Sequence, residues 1–329
     1  MEDQGGEELC FPQLLNASCR KPKLQQSDAV LMYLLFFISM FTVTLNLLVI
    51  ISVSHFRQLH TPTNLLLLSL AVSDFMFGLV TPVEVYRQIA CWSLGDVICS
   101  LHCFVSSFSL CASVGEMVFI SFDRYLAICD PLHYPTRVTM RRVQMCVFLW
   151  WIYSFIYFVV FYNDILTQPG RYNYCYGVCL LFIDYISGVV DTVLSVIAPV
   201  TVIILLYMRV FVTAVSQARA MRSHVAAVTP QPSGNVTTKK SELKAARTLG
   251  VVVVVFLICF CPYYYIVFCS MQNLPVDVFV QALAIFMMYI NPCLNPVIYA
   301  LFYPWFRKAI TLILSLQILQ PGSRETNML

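Results

Sequence analysis

The chain has 329 residues, of which 59% are hydrophobic and only 11% charged, with a formal net charge of +3. Ordinary soluble domains carry about 25% charged residues, so this composition and a mean hydropathy of +0.77 exclude a water-soluble globular protein and point to one built into a bilayer. The small positive balance is no nucleic-acid footprint. Its distribution along the chain is a topology signal.

Apolar stretches long enough to span about 30 Å of hydrocarbon recur at 29–53, 63–86, 98–122, 143–162, 186–211, 248–271 and 277–302. The expected fold is therefore all-α, a bundle of seven transmembrane helices. Seven crossings put the termini on opposite sides. Arg20, Lys21, Lys23, Arg87 and Arg171 fall on the N-terminal side, and the other fifteen of the twenty basic residues fall on the far side. Basic residues accumulate on the cytoplasmic face, which predicts an extracellular N-terminus, a cytoplasmic C-terminus and a multi-pass plasma-membrane protein. Residues 1–28 form a polar tail without an apolar leader core, so the first span is expected to act as the insertion signal. Asn16-Ala17-Ser18 is a glycosylation sequon on the outer side; Asn235-Val236-Thr237 is a second one, on the cytoplasmic side, expected to stay bare. Residues 222–240, with Pro230, Pro232, Ser233 and Gly234, read as a flexible loop. No repeat and no appended soluble domain is evident.

Taken in order, the spans carry polar residues that a bilayer makes expensive. Span 1 has Asn46 and span 2 Asp74. A carboxylate grouped with hydroxyl and amide oxygens suits a hard cation, or else forms a polar network filled by bound water. Span 3 holds Glu116, which has no evident role and is expected to be bonded to a neighbouring helix, and it ends in Asp123-Arg124-Tyr125. Span 5 carries Asp191 eight residues before Pro199, among apolar neighbours; a carboxylate at that depth should face a cavity or pair with an outer-loop base such as Arg171. Asp184, seven residues earlier, either attracts cations at a pocket mouth or caps the helix, and the cap is the favoured reading. Span 7 reads INPCLNPVIYALFYPWF over 290–306, with two Asn-Pro pairs four residues apart, then Tyr299 and the amphipathic segment from Arg307 onward. Proline would break a soluble helix here. In a membrane helix the freed carbonyls can be satisfied by neighbours and water, and Asn291 and Asn295 share the face that could do so.

That last string resembles the end of the seventh helix in rhodopsin-like G-protein-coupled receptors, and more narrowly the trace amine-associated receptor fingerprint NSxxNPxxYxxxYxWF, with Pro292 standing where the fingerprint has serine. The Asp123-Arg124-Tyr125 triplet, Trp150, Pro199, Tyr207, Phe256 and Pro262 stand at positions matching the same receptors. Tyr153 replaces a usual proline and Phe260 a usual tryptophan. The resemblance covers residues 28–316 and implies a short amphipathic eighth helix within 303–329, after a receptor domain of 29–302.

The resemblance also implies roles. Asp74, Ser113, Asn291 and Asn295 match a sodium and water pocket; no cofactor is expected beyond an allosteric sodium ion at Asp74, with the water-filled polar network as the alternative. Arg124 would meet a heterotrimeric G protein, held meanwhile by Asp123 or by Glu242 of KSELKAARTLG, with Tyr207 and Tyr299 in the same switch. Spacing alone does not fix disulfide pairing; the family's pattern implies Cys99–Cys179 and Cys19–Cys175, with Cys10 and Cys91 also on the oxidising side. Cys111 and Cys259 are expected to be packing residues.

Amine receptors normally pair the ligand ammonium with a helix-3 aspartate. Here that position is Ser106. Some fish trace amine-associated receptors carry an aspartate at the helix-5 position of Asp191, and a subset lacks the helix-3 one; this chain resembles that subset. Asp191 is therefore the expected ammonium partner, with Ser106, Thr192 and Ser195 as hydrogen-bonding neighbours and Phe260, Tyr263, Tyr264 and Tyr289 as aromatic walls. The function implied is an olfactory-type amine receptor that raises cAMP through a stimulatory G protein. The serious rival is a receptor of this fold that senses a non-basic ligand or signals constitutively. A transporter would need inverted repeats, and an enzyme a nucleophile–base pair; neither pattern is found.

Overall fold

The structure is a computed structural model describing residues 9–14, 17–21, 26–169, 171, 175–179, 183–227, 235–272 and 274–328, the side chains of 27, 28, 217–227, 235–249 and 271 excepted. Among the described residues, seven helices are long and apolar enough to cross a membrane. They are α1 (Gln26–His55), α2 (Pro62–Ile89), α3 (Gly95–Cys129), α4 (Met140–Phe161), α5, α6 (Asn235–Met271) and α7 (Val278–Phe302). α5 is composite: Tyr185–Thr192, a π-helical turn Val193–Ile197, then Ala198–Ala227. An eighth helix, α8 (Pro304–Leu314), follows at once. No β-strand occurs among the described residues, only isolated bridges in the outer loops.

Several helices run past the apolar stretches that announce them, because nothing stops them at the hydrocarbon edge. Their ends fall where local chemistry supplies a cap. Thr61 accepts the N–H of Asn64 with Pro62 at the first helical position of α2, Thr139 accepts the N–H of Arg142 at the start of α4, and Asp277 accepts from Phe279 and Val280 at the start of α7. Such side chains satisfy donors that a helix N-terminus leaves orphaned. Asp184 does the same for α5, accepting the N–H of Ser187 at 3.0 Å, which holds its carboxyl below the usual carboxylate range. Pro304 at the first position of α8 turns the chain out of α7 after Tyr303.

α3 runs through the middle and packs on α2, α4, α5 and α6. The largest core joins the inner halves of the helices around Leu67, Leu70, Met117, Ile120, Ile203, Phe256 and Tyr299, and extends to Phe306 of α8. α2 and α3 are the most enclosed helices and α4 the least; α4 turns Phe148, Ile156 and Val160 outward, as a helix solvated by lipid rather than water can. One contact needs a glycine. A Cβ on Gly115 of α3 would lie 1.9 Å from the Trp150 ring of α4, so the absence of a side chain there sets the approach of the two helices.

The outer face is tied together by three disulfides, Cys10–Cys91, Cys19–Cys175 and Cys99–Cys179. Cys19 also donates its N–H to the Tyr176 carbonyl at 2.8 Å, so the tail lies on the outer loop that precedes α5. At the inner face the C-terminal tail returns beneath α1 and α2, where Arg57 meets Glu325 at 3.2 Å and Gln58 accepts the N–H of Met328.

Candidate functional site

Asp191 lies on the outer part of α5, immediately before the π-helical turn. Tyr157 of α4 donates its hydroxyl to Oδ1 at 3.0 Å, and Ser195, inside that turn, donates to the same oxygen at 2.9 Å. Oδ2 receives no hydrogen bond among the described residues. Nor does Asp191 form an ion pair there, since Arg171, the base considered as its partner, reaches Asp164 at 3.5 Å. Thr192 spends its hydroxyl on the Gly188 carbonyl of its own helix, and half-buried Ser106 makes no hydrogen bond among the described residues. The hydroxyl pair across α3 and α4 is instead Ser107 with Tyr162, at 2.8 Å.

Of the four aromatic residues expected around the aspartate, Phe260, Tyr264 and Tyr263 form one chain of ring contacts on α6 and Tyr289 stands apart on α7. Phe260 is buried and stacks on Phe256 at 4.7 Å and on Tyr264 at 5.3 Å. Tyr264 meets Tyr263 edge to face at 5.2 Å, and Tyr289 leans on Phe77. Tyr263 and Tyr289 then line a cavity of about 490 Å³ between α2, α6 and α7, whose other polar residues include Glu84, Arg87 and Gln88. Glu84 has both oxygens committed: Arg87 donates from Nε and Nη2 at 2.8 and 2.6 Å, Gln88 from its amide at 2.7 Å, and His102 lies 2.9 Å away. This self-compensated pair went unread in the sequence although Glu84 sits inside the second apolar stretch, where a carboxylate is a signal in itself.

Deeper in the bundle, Asp74 accepts from Ser113 of α3 at 3.0 Å and from Asn295 of α7 at 2.8 Å. Asn46 donates to the carbonyl of Pro292 at 3.0 Å, using an acceptor freed where the proline run interrupts the α7 ladder. Among the described residues, Asn46 Oδ1, Asn291 Nδ2, Asn295 Oδ1 and the Tyr299 hydroxyl are buried without a hydrogen-bond partner. Orphaned buried groups of both polarities beside a carboxylate fit a water-filled cation site: the amide oxygens suit a hard cation, and the Asn291 donor suits its water. Glu116 is bound on one side only. Ser69 of α2 donates to Oε1 at 2.7 Å and receives the indole N–H of Trp151 at 2.9 Å, while Oε2 has no partner among the described residues.

At the inner end of α3, Arg124 is 7% exposed. It pairs with Asp123 through Nε and Nη2 and donates to Thr63 of α2 at 2.9 Å. Asp123 in turn accepts from Tyr134 at 2.8 Å and Thr63 at 3.1 Å. The Tyr207 hydroxyl on α5 is buried and has no hydrogen-bond partner among the described residues. The side chain of Glu242 lies outside the described residues, as does Asn16.

The family described as 7 transmembrane receptor (rhodopsin family) matches residues 45–299. Trace amine-associated receptor 13c of Danio rerio is 37% identical over 98% of this chain and 96% of its own length. Trace amine-associated receptor 8a of Rattus norvegicus is 38% identical over the same shares, and trace amine-associated receptor 1 of Macaca mulatta is 34% identical over 96% of each chain. The chain belongs to the rhodopsin-like receptors and, within them, to the trace amine-associated receptors. It is thus a multi-pass plasma-membrane receptor with a small-molecule ligand and a G-protein partner, not an enzyme.

In this receptor the outer loop before α5 is fastened at both bridged cysteines, Cys175 to the tail and Cys179 to the top of α3. Arg87 adds a third tie by donating to the Cys179 carbonyl at 3.2 Å. The Cys10–Cys91 bridge joins the tail to the chain just beyond α2; compartment sorting placed both cysteines outside but could not pair them. Tyr157, the closest partner of Asp191 on another helix, also escaped the sequence, because only the packing of α4 on α5 brings it there.

Proposed function

We propose that this receptor detects amines, that Asp191 neutralises the ligand ammonium, and that the occupied receptor raises cAMP through a stimulatory G protein. The observation that carries the reading is the state of Asp191: a half-buried carboxylate steadied through Oδ1 by two hydroxyls, with Oδ2 left over and no basic side chain against it among the described residues. A hydroxyl at Ser106 cannot compensate a buried ammonium, whereas a carboxylate can. Ser195 steadies the anion from below, and Tyr264, Tyr263 and Phe260 supply aromatic faces for the cation. Thr192 and Ser106 fill out the pocket wall, with Tyr289 toward its mouth.

The rest of the assignment follows the polar network inward. Asp74, Ser113, Asn291 and Asn295 hold sodium and water in the resting receptor. Arg124 is retained by Asp123, and by Glu242 when α6 is closed; release of Arg124 as α6 moves outward exposes the G-protein site, with Tyr207 and Tyr299 supplying hydroxyls to the open form. Ligand binding biases that two-state element.

The test is Asp191→Asn with surface expression measured alongside amine-evoked cAMP. Removing one partner of a buried ion pair costs about 3–5 kcal/mol, so a potency loss of about a hundredfold or more is expected. An undiminished response sinks the anchor. The second reading, a receptor for a neutral ligand, is favoured by Ser106 and by the two hydroxyls already on Asp191; neutral odorants activating where amines fail would establish it.

A further inference from the structure

The outer end of the bundle holds a charge pair that the amine site does not use. Glu84 of α2 accepts Arg87 Nε on Oε2 at 2.8 Å and Arg87 Nη2 on Oε1 at 2.6 Å. Gln88 adds a bond to Oε1 at 2.7 Å, and His102 of α3 one to Oε2 at 2.9 Å. The imidazole Nδ1 of His102 is buried with no hydrogen-bond partner among the described residues. The ring proton therefore belongs on Nε2, toward the carboxylate, and the ring is neutral. A carboxylate offers about four lone-pair sites, and these donors fill them.

Arg87 is not spent in full. Its Nε and Nη2 serve Glu84, and Nη1 serves the Cys179 carbonyl at 3.2 Å. A guanidinium carries more N–H donors than these bonds use, so a second hydrogen remains on each terminal nitrogen. The side chain is 31% exposed and lines the cavity of about 490 Å³ between α2, α6 and α7. Small-molecule sites run from about 300 to 1,000 Å³. Tyr263 of α6 and Tyr289 of α7 also line it, and neither hydroxyl makes a hydrogen bond among the described residues. Ile266, Val267, Ile285 and Met288 complete the wall; Ile266 and Met288 are buried, so this wall faces the bundle and not lipid. Asp191 is not part of it.

This arrangement selects by charge. An ammonium finds no lone pair left on Glu84 and a guanidinium beside it. An anion would be buried next to Arg87 without a counter-charge, since Glu84 already compensates that cation, and such a charge is costly. A neutral oxygen takes the spare N–H donors and brings no charge. Aromatic rings pack on phenols edge to face or offset, which the two tyrosines provide for. We propose that the α2–α6–α7 cavity is a second ligand site, apart from Asp191, for a neutral aryl ketone, its carbonyl on Arg87 and its ring against Tyr263 and Tyr289. The site goes beyond the amine reading and does not depend on it.

Ethylbenzene, acetophenone and 1-phenylethylamine share one carbon skeleton and carry at the benzylic carbon no heteroatom, a carbonyl and an ammonium. The experiment adds each to the purified receptor and follows thermal unfolding. Acetophenone is expected to raise the melting temperature by about 2–4 °C over ethylbenzene. The same shift is expected in Asp191→Asn, where 1-phenylethylamine should match ethylbenzene. Ile285→Trp on α7 and Val267→Trp on α6 each fill the cavity, and the acetophenone shift should vanish in whichever can be purified. An acetophenone shift in the unmodified receptor no larger than that of ethylbenzene overturns the proposal without any variant. So does a shift that persists in a filled variant, or an Asp191→Asn receptor that 1-phenylethylamine stabilises as acetophenone does. Failure of the amine reading shows elsewhere: amine-evoked cAMP survives Asp191→Asn while the ketone shifts stand.

Discussion

Tyr157 and Asp191 are bound across the α4–α5 contact, hydroxyl to Oδ1 at 3.0 Å. Because Ser195 uses the same oxygen, the carboxylate is fixed in rotation while its second oxygen is free to meet a cation. Tyr157→Phe keeps the ring and removes the bond. Hydrogen bonds to charged groups contribute about 1.5–3 kcal/mol, and part of that loss appears in ligand orientation. The expected outcome is a loss of amine potency of about tenfold, with surface density unchanged, measured by dose–response; a potency equal to the unmodified receptor would show that Tyr157 does not orient the anchor.

Glu116 makes a different demand. Its Oε1 takes the Ser69 hydroxyl, Ser69 takes the Trp151 indole, and Oε2 has no partner, with the residue fully enclosed. Glu116→Gln preserves an acceptor for Ser69 and is expected to reach the surface at near-normal density. Glu116→Ala strands Ser69 and opens space between α2, α3 and α4. An unsatisfied buried polar group costs about 1–3 kcal/mol before the lost packing is added, so thermal stability in detergent should fall clearly for Ala and little for Gln. Equal behaviour of the two variants would contradict the bonded role.

How much of this was legible in the sequence differs by kind of residue. The bundle was, because a bilayer imposes long apolar runs and basic inner loops, and these survive any detail of packing. The grouping of Ser113 and Asn295 with Asp74 was, through motifs shared with the family that the chain resembles, and both bond its carboxyl. Asp184 was as well, because a cap is a local device. Residues brought in from another helix were not: Tyr157 is one of many aromatics on α4, and its meaning depends on the rotation of α4 against α5. Glu84 was overlooked although its sequence signal was plain, and the reason it adds no cationic site of its own, the committed bonds to Arg87, Gln88 and His102, exists only in three dimensions. Pairing of Cys10 with Cys91 likewise depends on how the tail lies over the outer face.

Gly115 tests the helix contact that positions α4. With an ideal Cβ 1.9 Å from the Trp150 ring, Gly115→Ala must move the indole or the helix. Overpacking of this kind costs about 1–3 kcal/mol. Reduced surface density that is recovered by the double variant Gly115→Ala with Trp150→Phe is the expected result. If Gly115→Ala alone is as abundant as the unmodified receptor, the two helices do not approach this closely.

A sodium ion at Asp74 would stabilise the arrangement in which Ser113 and Asn295 both turn toward the carboxylate. Agonists that favour the other arrangement should then act less potently in sodium buffer than in choline buffer of equal ionic strength. Asp74→Asn removes the charge that holds the ion, and the sodium effect on potency is expected to disappear. A sodium dependence that persists in the variant places the ion elsewhere.

The inner lock gives the last prediction. Arg124 is held inward by Asp123 and by Thr63, and Asp123 is itself held by Thr63 and Tyr134. Thr63 bonds both members of the pair, so it is the joint of the resting state, and it touches neither the amine site nor the described residues of α6. Thr63→Ala leaves the ion pair intact but removes two bonds that tie it to α2. With about 0.5–1.5 kcal/mol per neutral bond and more for those to charged groups, the closed state loses about 2–4 kcal/mol relative to the open one. Basal cAMP per receptor at the surface should therefore rise several-fold while maximal stimulated cAMP stays the same. Thr63→Ser, which keeps the hydroxyl, should return the basal level to that of the unmodified receptor; a basal level that does not move in Thr63→Ala would mean that Arg124 is not restrained from α2.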